Sequence, residues 1–287
     1  MKANAIDTFD VFECYYQSQL TSRVRMIKFY LEYTGADLSD PVNFNLLYNE
    51  KAPKYEPLHQ DDTESTLDIQ EYYLRQAVFN TDKVERVYSH TEGKLGQANK
   101  WMHMGGKHNP MDYLLTTNKF LKFLDECAAE KQRKNMLFRN PLPTQKNKVC
   151  FWGWREHDVT ATRYGRSLNG KSPHRKHKSD LYTEAEWDIL YEYLKSRYNV
   201  VELYLRMPIR EVFYHLRTCE FSIGTSGGYH NTAAGLGKPQ ISLGNWRVRS
   251  FDFMCQNEYH PVGTKIDQIT TDSFFDECLE IARSKQL

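Results

Sequence analysis

From Val149 onward, short apolar runs alternate with segments of helical spacing, and turn signals separate them. Val149 to Trp154 reads as a strand. Thr183 followed three residues later by Glu186 is a capping box, which predicts a helix running to about Tyr198. Asn199 to Leu205 then reads as a buried strand, and Pro208 opens a helix reaching about Thr218. A third apolar run, Phe221 to Gly224, leads into Gly227 and Gly228, and a compact helix over His230 to Ala234 stops at Gly235 to Gly237. Lys238-Pro239 opens the last strand, which ends near Leu243. Strands and helices in strict alternation predict a parallel sheet with right-handed crossovers and a ligand at its carboxyl edge.

The first half carries a weaker version of the same pattern. Strands are expected at Phe9 to Cys14, Phe44 to Tyr48, Val84 to Tyr88 and Trp101 to Met104. Helical spacing covers Gln17 to Tyr33, Leu67 to Phe79 and Met111 to Glu130, the last opened by Pro110. Asn140 to Asn147, with Pro141 and Pro143, reads as a linker. The expected organisation is an α/β chain of two Rossmann-like lobes with a cleft between them: lobe 1–139, linker 140–147, lobe 148–270, and a final helix over 271–287 that returns to the first lobe.

A chain of 287 residues is long enough for two such cores. A net charge of +1 gives no global field toward nucleic acid or a membrane surface. Cysteines 14, 127, 150, 219, 255 and 278 show no Cys-x-x-Cys spacing, so neither a zinc site nor a disulfide framework is expected. With no signal-peptide pattern and no run of 18 apolar residues, the expectation is a soluble cytoplasmic protein. Charge is nevertheless uneven. Val159 to Ser179 contains no acid, and Arg163, Arg166, Lys171, Arg175, Lys176 and Lys178 make it an anion-attracting segment. A plain solvated loop is the alternative reading.

Candidate chemistry concentrates between Cys219 and Asn245. Gly224, Gly227 and Gly228 permit close backbone approach, Thr225 and Ser226 add hydroxyls, and a helix N-terminus follows at once. This is the arrangement that cradles phosphate oxygens. The same glycines also suit a tight strand-to-helix turn, with His230 a satisfied packing residue.

Thr225-Ser226-Gly227-Gly228-Tyr229-His230, then Ala233, Ala234, Gly237, Lys238 and Pro239, resembles the donor-binding motif of the heptosyltransferase-like GT-B glycosyltransferases. That motif runs Asp-Thr-Gly-x-x-His, a small-residue helix, then Gly-Lys-Pro. Thr225 stands where the family has its acid. The resemblance covers roughly Lys148 to Arg249 and implies a GT-B fold with a nucleotide-sugar co-substrate and no covalently bound cofactor. It further implies that Gly227 and His230 contact the nucleotide diphosphate.

Glycosyl transfer requires stabilisation of a departing diphosphate and, for inversion, a base on the acceptor hydroxyl. With no Asp-x-Asp motif in the chain, departure is expected without a metal, assisted by backbone N–H groups at Gly227 and Gly228, by His230, and by Arg163, Lys171 and Lys176. Thr225 and Ser226 complete the expected donor-binding set. Glu92 and His103, near glycines of the first lobe, are the candidate bases. A hydroxymethylated base in DNA, as in phage DNA-modifying transferases, is the favoured acceptor. A glycan acceptor, a nucleotide-sugar epimerase and a non-catalytic nucleotide-binding module stand as alternatives.

Overall fold

The computed structural model describes residues 7–12, 21, 24, 27, 28, 31, 35–48, 66–88, 136–153, 182–203, 207–225, 228–243, 258–259, 261 and 264–285. The chain divides into two compact units, one built mainly from residues 1–132 with 136–139, the other mainly from 140–287. Each is α/β with a parallel sheet.

In the first unit, β1 (Asp7–Phe12), β2 (Val42–Tyr48) and β3 (Val84–Tyr88) lie parallel in the order β1-β2-β3. Alternation sets the inward face of β2: Val42, Phe44 and Leu46 are buried, and the residues between them are partly exposed. Helix α1 (Thr66–Gln76) packs on β2 and β3 and buries Tyr73 and Leu74. Thr21, Val24, Ile27, Lys28 and Leu31 are helical and buried, at the three- and four-residue spacing of one helix face. Residues 136–139 fasten to this unit. Val78 N–H donates to the Leu137 carbonyl (2.9 Å), Arg139 N–H to that of Gln76 (2.8 Å), and the Arg139 guanidinium to that of Phe79. Strands expected at Phe9–Cys14 and Phe44–Tyr48 start two residues earlier than expected, because ladder pairing extends to Asp7 and Val42. The expected strand at Trp101–Met104 and helix at Met111–Glu130 lie outside the described residues.

The second unit holds a five-stranded parallel sheet: β4 (Lys148–Trp152), β5 (Asn199–Glu202), β6 (Phe221–Thr225), β7 (Gln240–Leu243) and β8 (Glu258–Tyr259), in the order β5-β4-β6-β7-β8. Its helices are α2 (Glu184–Arg197), α3 (Ile209–Thr218), α4 (Gly228–Gly235), α5 (Ile266–Ile269) and α6 (Asp272–Ser284). The capping box at the start of α2 is formed: Thr183 Oγ1 accepts from Glu186 N–H (3.3 Å), and Glu186 Oε2 accepts from Thr183 N–H (2.6 Å). Asn147, just ahead of β4, takes a left-handed φ of 63°, a conformation asparagine tolerates. Glu220 Oε2 holds its N–H at 2.8 Å.

The two faces of this sheet differ in chemistry. Val149, Phe151, Phe221, Ile223, Ile241 and Leu243 form one face, packed by Trp187, Leu190 and Leu194 of α2 and by α5 and α6. Each large side chain buried there contributes about 1.5–3 kcal/mol. Trp187 stands edge-on between Phe151 (6.0 Å between ring centroids) and Tyr182 (5.3 Å). At Gly153 a Cβ would come within 2.8 Å of both Phe151 and Trp187, so glycine makes room for this ring cluster. By strand alternation Lys148, Cys150, Trp152, Ser222, Gly224, Gln240 and Ser242 belong to the other face, which is polar and small yet largely buried.

The final helix, α6, sinks Phe275, Cys278, Leu279 and Ala282 into the core of the second unit, where Phe275 meets Phe221 at 6.0 Å. Arg197 of α2 fixes the seam, donating to Asp272 (3.2 Å) and Asp276 (2.7 Å) of α6.

Candidate functional site

The order β5-β4-β6 creates a topological switch point. The chain leaves β4 toward β5 on one side, then crosses back to β6 on the other, with α2 and α3 on opposite faces. In such sheets the connections after the two central strands diverge, opening a crevice at their carboxyl ends. Here those ends are Trp152 and Thr225, and α4 begins at Gly228. Gly224 faces Trp152 in the ladder, and a Cβ on it would lie 2.0 Å from the Trp152 carbonyl oxygen. Only glycine allows β4 and β6 to pair right up to the crevice.

His230 lies in the first turn of α4 and is buried. Gln240, at the start of β7, grips it twice. The Gln240 amide nitrogen donates to the His230 carbonyl oxygen (2.8 Å), which turns Gln240 Oε1 toward His230 Nδ1 at 3.1 Å. Nδ1 therefore carries the proton, and Nε2 is the basic nitrogen of the neutral ring. Tyr229 packs against Trp152 (4.6 Å between centroids), and Trp152 lies 6.4 Å from the His230 ring.

A small, half-open pocket of about 10 Å³, room for about one water-sized molecule, lies at this edge, lined by Cys150, Trp152, Leu203, Leu216, Ser222, Ile223, Tyr229 and His230. Ordinary ligand pockets measure roughly 300–1,000 Å³, so this one by itself does not hold a nucleotide. The Ser222 hydroxyl within it is buried without a hydrogen-bond partner. Deeper on the same face, Lys148 Nζ donates to Thr218 Oγ1 (2.6 Å) and Lys238 Nζ to Thr144 Oγ1 (2.9 Å). Burial lowers the Lys238 pKa from its usual value. His215 of α3 is likewise held below its ordinary value, by burial first and then by the Lys148 charge, against an opposing contact with Glu211.

Of the residues expected to bind donor, Thr225 closes β6 with its side chain buried, the backbone of Gly228 opens α4, and His230 faces the pocket. These three are brought together at one edge. Ser226, Gly227, Arg163, Lys171 and Lys176 lie outside the described residues, as do the candidate bases Glu92 and His103. Lys238, which matches the lysine of the Gly-Lys-Pro step, sits before the amino end of β7, fastened to Thr144 and away from the crevice. Trp152, Ser222 and Gln240 were missed by sequence reasoning. Trp152 and Ser222 were available from period-two alternation in β4 and β6, once the two strands are known to be neighbours.

Among the described residues, no group of three or more His, Cys, Asp or Glu is placed to hold a metal ion, and no helix is long and apolar enough to cross a membrane. No protein-family model, no curated protein and no solved structure matches the chain.

Proposed function

We propose that this chain is a glycosyltransferase of the two-lobed GT-B type, moving a sugar from a nucleotide-sugar donor to a hydroxyl acceptor with inversion and without a metal. The observation that carries the reading is the His230–Gln240 clasp in the first turn of α4, at the switch point between β4 and β6. A departing diphosphate needs positive charge and aimed N–H groups. The amino end of α4 supplies the N–H groups and the favourable end of the helix dipole. His230 supplies the charge. Because Nδ1–H is committed to Gln240, a phosphate oxygen at Nε2 is met by a donor only when the ring takes up a second proton, so donor binding and protonation are coupled.

In this reading Thr225, Ser226, Gly227 and Gly228 line the diphosphate, Arg163, Lys171 and Lys176 add cations from the basic segment, and Glu92 or His103 of the first lobe deprotonates the acceptor. The acid-free basic segment favours a hydroxymethylated base in DNA over a neutral glycan as acceptor.

The test is a thermal-shift screen against nucleoside diphosphates and their sugar conjugates, followed by transfer assays on hydroxymethylated DNA at several salt concentrations. One nucleotide should raise the melting temperature, and His230→Ala should abolish that shift. A DNA acceptor should bind more weakly as salt rises. No shift with any nucleotide sinks the proposal.

A further inference from the structure

We propose that the pocket beside His230 holds one water molecule bridging the Ser222 hydroxyl to the imidazole, which makes Ser222 a positioning residue for the proton on that ring. Ladder register sets Ser222 of β6 opposite Gln240 of β7, and Gln240 Oε1 holds His230 Nδ1 at 3.1 Å. Ser222 and the residue that grips the ring are thus one strand spacing apart, roughly 4.7–4.9 Å. Ser222 and His230 line the same pocket. Ser222 is 6% exposed, and its hydroxyl has no hydrogen-bond partner within the protein, a costly state for a buried polar group. The pocket's volume of about 10 Å³ matches the space one water needs, about 10–15 Å³.

A wholly apolar pocket of this size stays dry, but a hydroxyl and an imidazole on its wall make it a site for water. With Nδ1–H given to Gln240, the neutral ring offers Nε2 as acceptor, and the serine hydroxyl can donate or accept. The bridging water then accepts from Ser222 and donates to Nε2. When the ring takes up a second proton, Nε2–H donates to the same water, which turns its own hydrogens to Ser222 Oγ and to the open side of the pocket. Both forms of the ring are served, and the charged one gains more. Leu203, Leu216 and Ile223 form the apolar part of the wall, which penalises an imidazolium, and the anchored water offsets that penalty. Besides the ring, the titratable groups lining the pocket are Cys150 of β4 and Tyr229 of α4. No carboxylate, lysine or arginine lines it among the described residues, and neither Leu216 of α3 nor Gln240 of β7 carries a charge.

Two measurements on the full chain without nucleotide test this. A high-resolution crystal structure should place one water within hydrogen-bond distance of both Ser222 Oγ and His230 Nε2, and Ser222→Ala should lose it. In a proton NMR titration, with the His230 signal identified by its loss in His230→Gln, Ser222→Ala should move the midpoint down by about 0.5–1 pH unit. Ser242→Ala is the control. Its hydroxyl is also buried and unpartnered, and it pairs with Gly224 on the same face, yet it does not line the pocket, so the midpoint should stay in place. The proposal is overturned by a dry pocket in the wild type, by a midpoint that Ser222→Ala leaves unmoved, or by equal shifts in the two serine variants. Because the free protein is measured, this link and the donor-site reading fail separately. If both hold, a phosphate oxygen arriving at Nε2 takes the water's place.

Discussion

His230 Nδ1 and Gln240 Oε1 lie 3.1 Å apart, and the Gln240 amide nitrogen returns a 2.8 Å bond to the His230 carbonyl, so one side chain holds both the ring and the backbone of the other. Gln240→Leu removes both bonds from a fully buried position and should cost about 2–4 kcal/mol in chemical denaturation. It should also release the ring from a single tautomer. If the proposed function holds, nucleotide binding in the wild type takes up a proton, seen by calorimetry as a binding heat that varies with buffer ionisation. In Gln240→Leu that dependence should be reduced.

Gly224→Ala should be far more damaging than Gly153→Ala. At Gly224 the new methyl meets backbone, the Trp152 carbonyl at 2.0 Å, and β4 and β6 must separate. The expected loss is about 4 kcal/mol or more, against about 1–3 kcal/mol at Gly153, where the neighbours are side chains. Thermal melts of the two variants decide the order.

His215 gives the fold a pH dependence. Its folded pKa lies below the usual 6.5, so between the two values the unfolded chain holds more protons than the folded one. Stability is therefore full above about pH 6.5 and declines as pH falls toward the folded value. The charges acting on the ring are Lys148, which strengthens the effect, and Glu211, which opposes it. In His215→Gln, denaturation midpoints should fall less across this window than in the wild type.

Arg197 should prove the principal fastening of α6 to α2. It bridges Asp272 and Asp276, contacts the Tyr193 hydroxyl and lies over the Phe275 ring at 5.3 Å. Both aspartates are largely exposed, which discounts the ion pairs, so Arg197→Ala should cost about 1–2 kcal/mol, much of it lost ring packing. Arg197→Lys should recover little, because one ammonium cannot serve the fork. Urea titrations of both variants check the ranking.

Tyr182 and Tyr193 should ionise late. Burial raises both pKa values to about 12, and the Tyr182 hydroxyl donates to the Thr264 carbonyl at 2.5 Å. With folded values above unfolded ones near 10, their contribution is intact below about pH 10 and is lost as pH climbs through about 12. Ultraviolet titration should show tyrosinate absorbance in two steps, and Tyr182→Phe should diminish the later one.

Legibility in the sequence followed the locality of the signal. Thr183 and Glu186 are three residues apart and announce a helix start without any tertiary information, and α2 begins at Glu184. Gly235 to Gly237 end α4 for an equally local reason, with Gly237 at a φ of 69°. The parallel sheet followed from the alternation of elements. What stayed hidden was pairing. That Gly224 must be glycine depends on Trp152, 72 positions earlier in the chain, and that His230 is gripped depends on which way Gln240 turns in β7. The partner of Lys238 stayed hidden for the same reason: a motif position carries no record of Thr144, which its ammonium meets 94 positions away.

The fastenings around residues 140–147 bear on how this protein is best divided. Asn140 donates to the Leu236 carbonyl, Gln145 N–H to that of Thr218, and Lys238 holds Thr144. These residues, expected as a linker, are the first course of masonry of the second unit. A chain begun at Asn140 takes those bonds with it, whereas one begun at Lys148 leaves the Lys238 ammonium buried without Thr144 and the Thr218 carbonyl without Gln145. Laboratories trimming the protein for crystals should cut before the prolines, not after them.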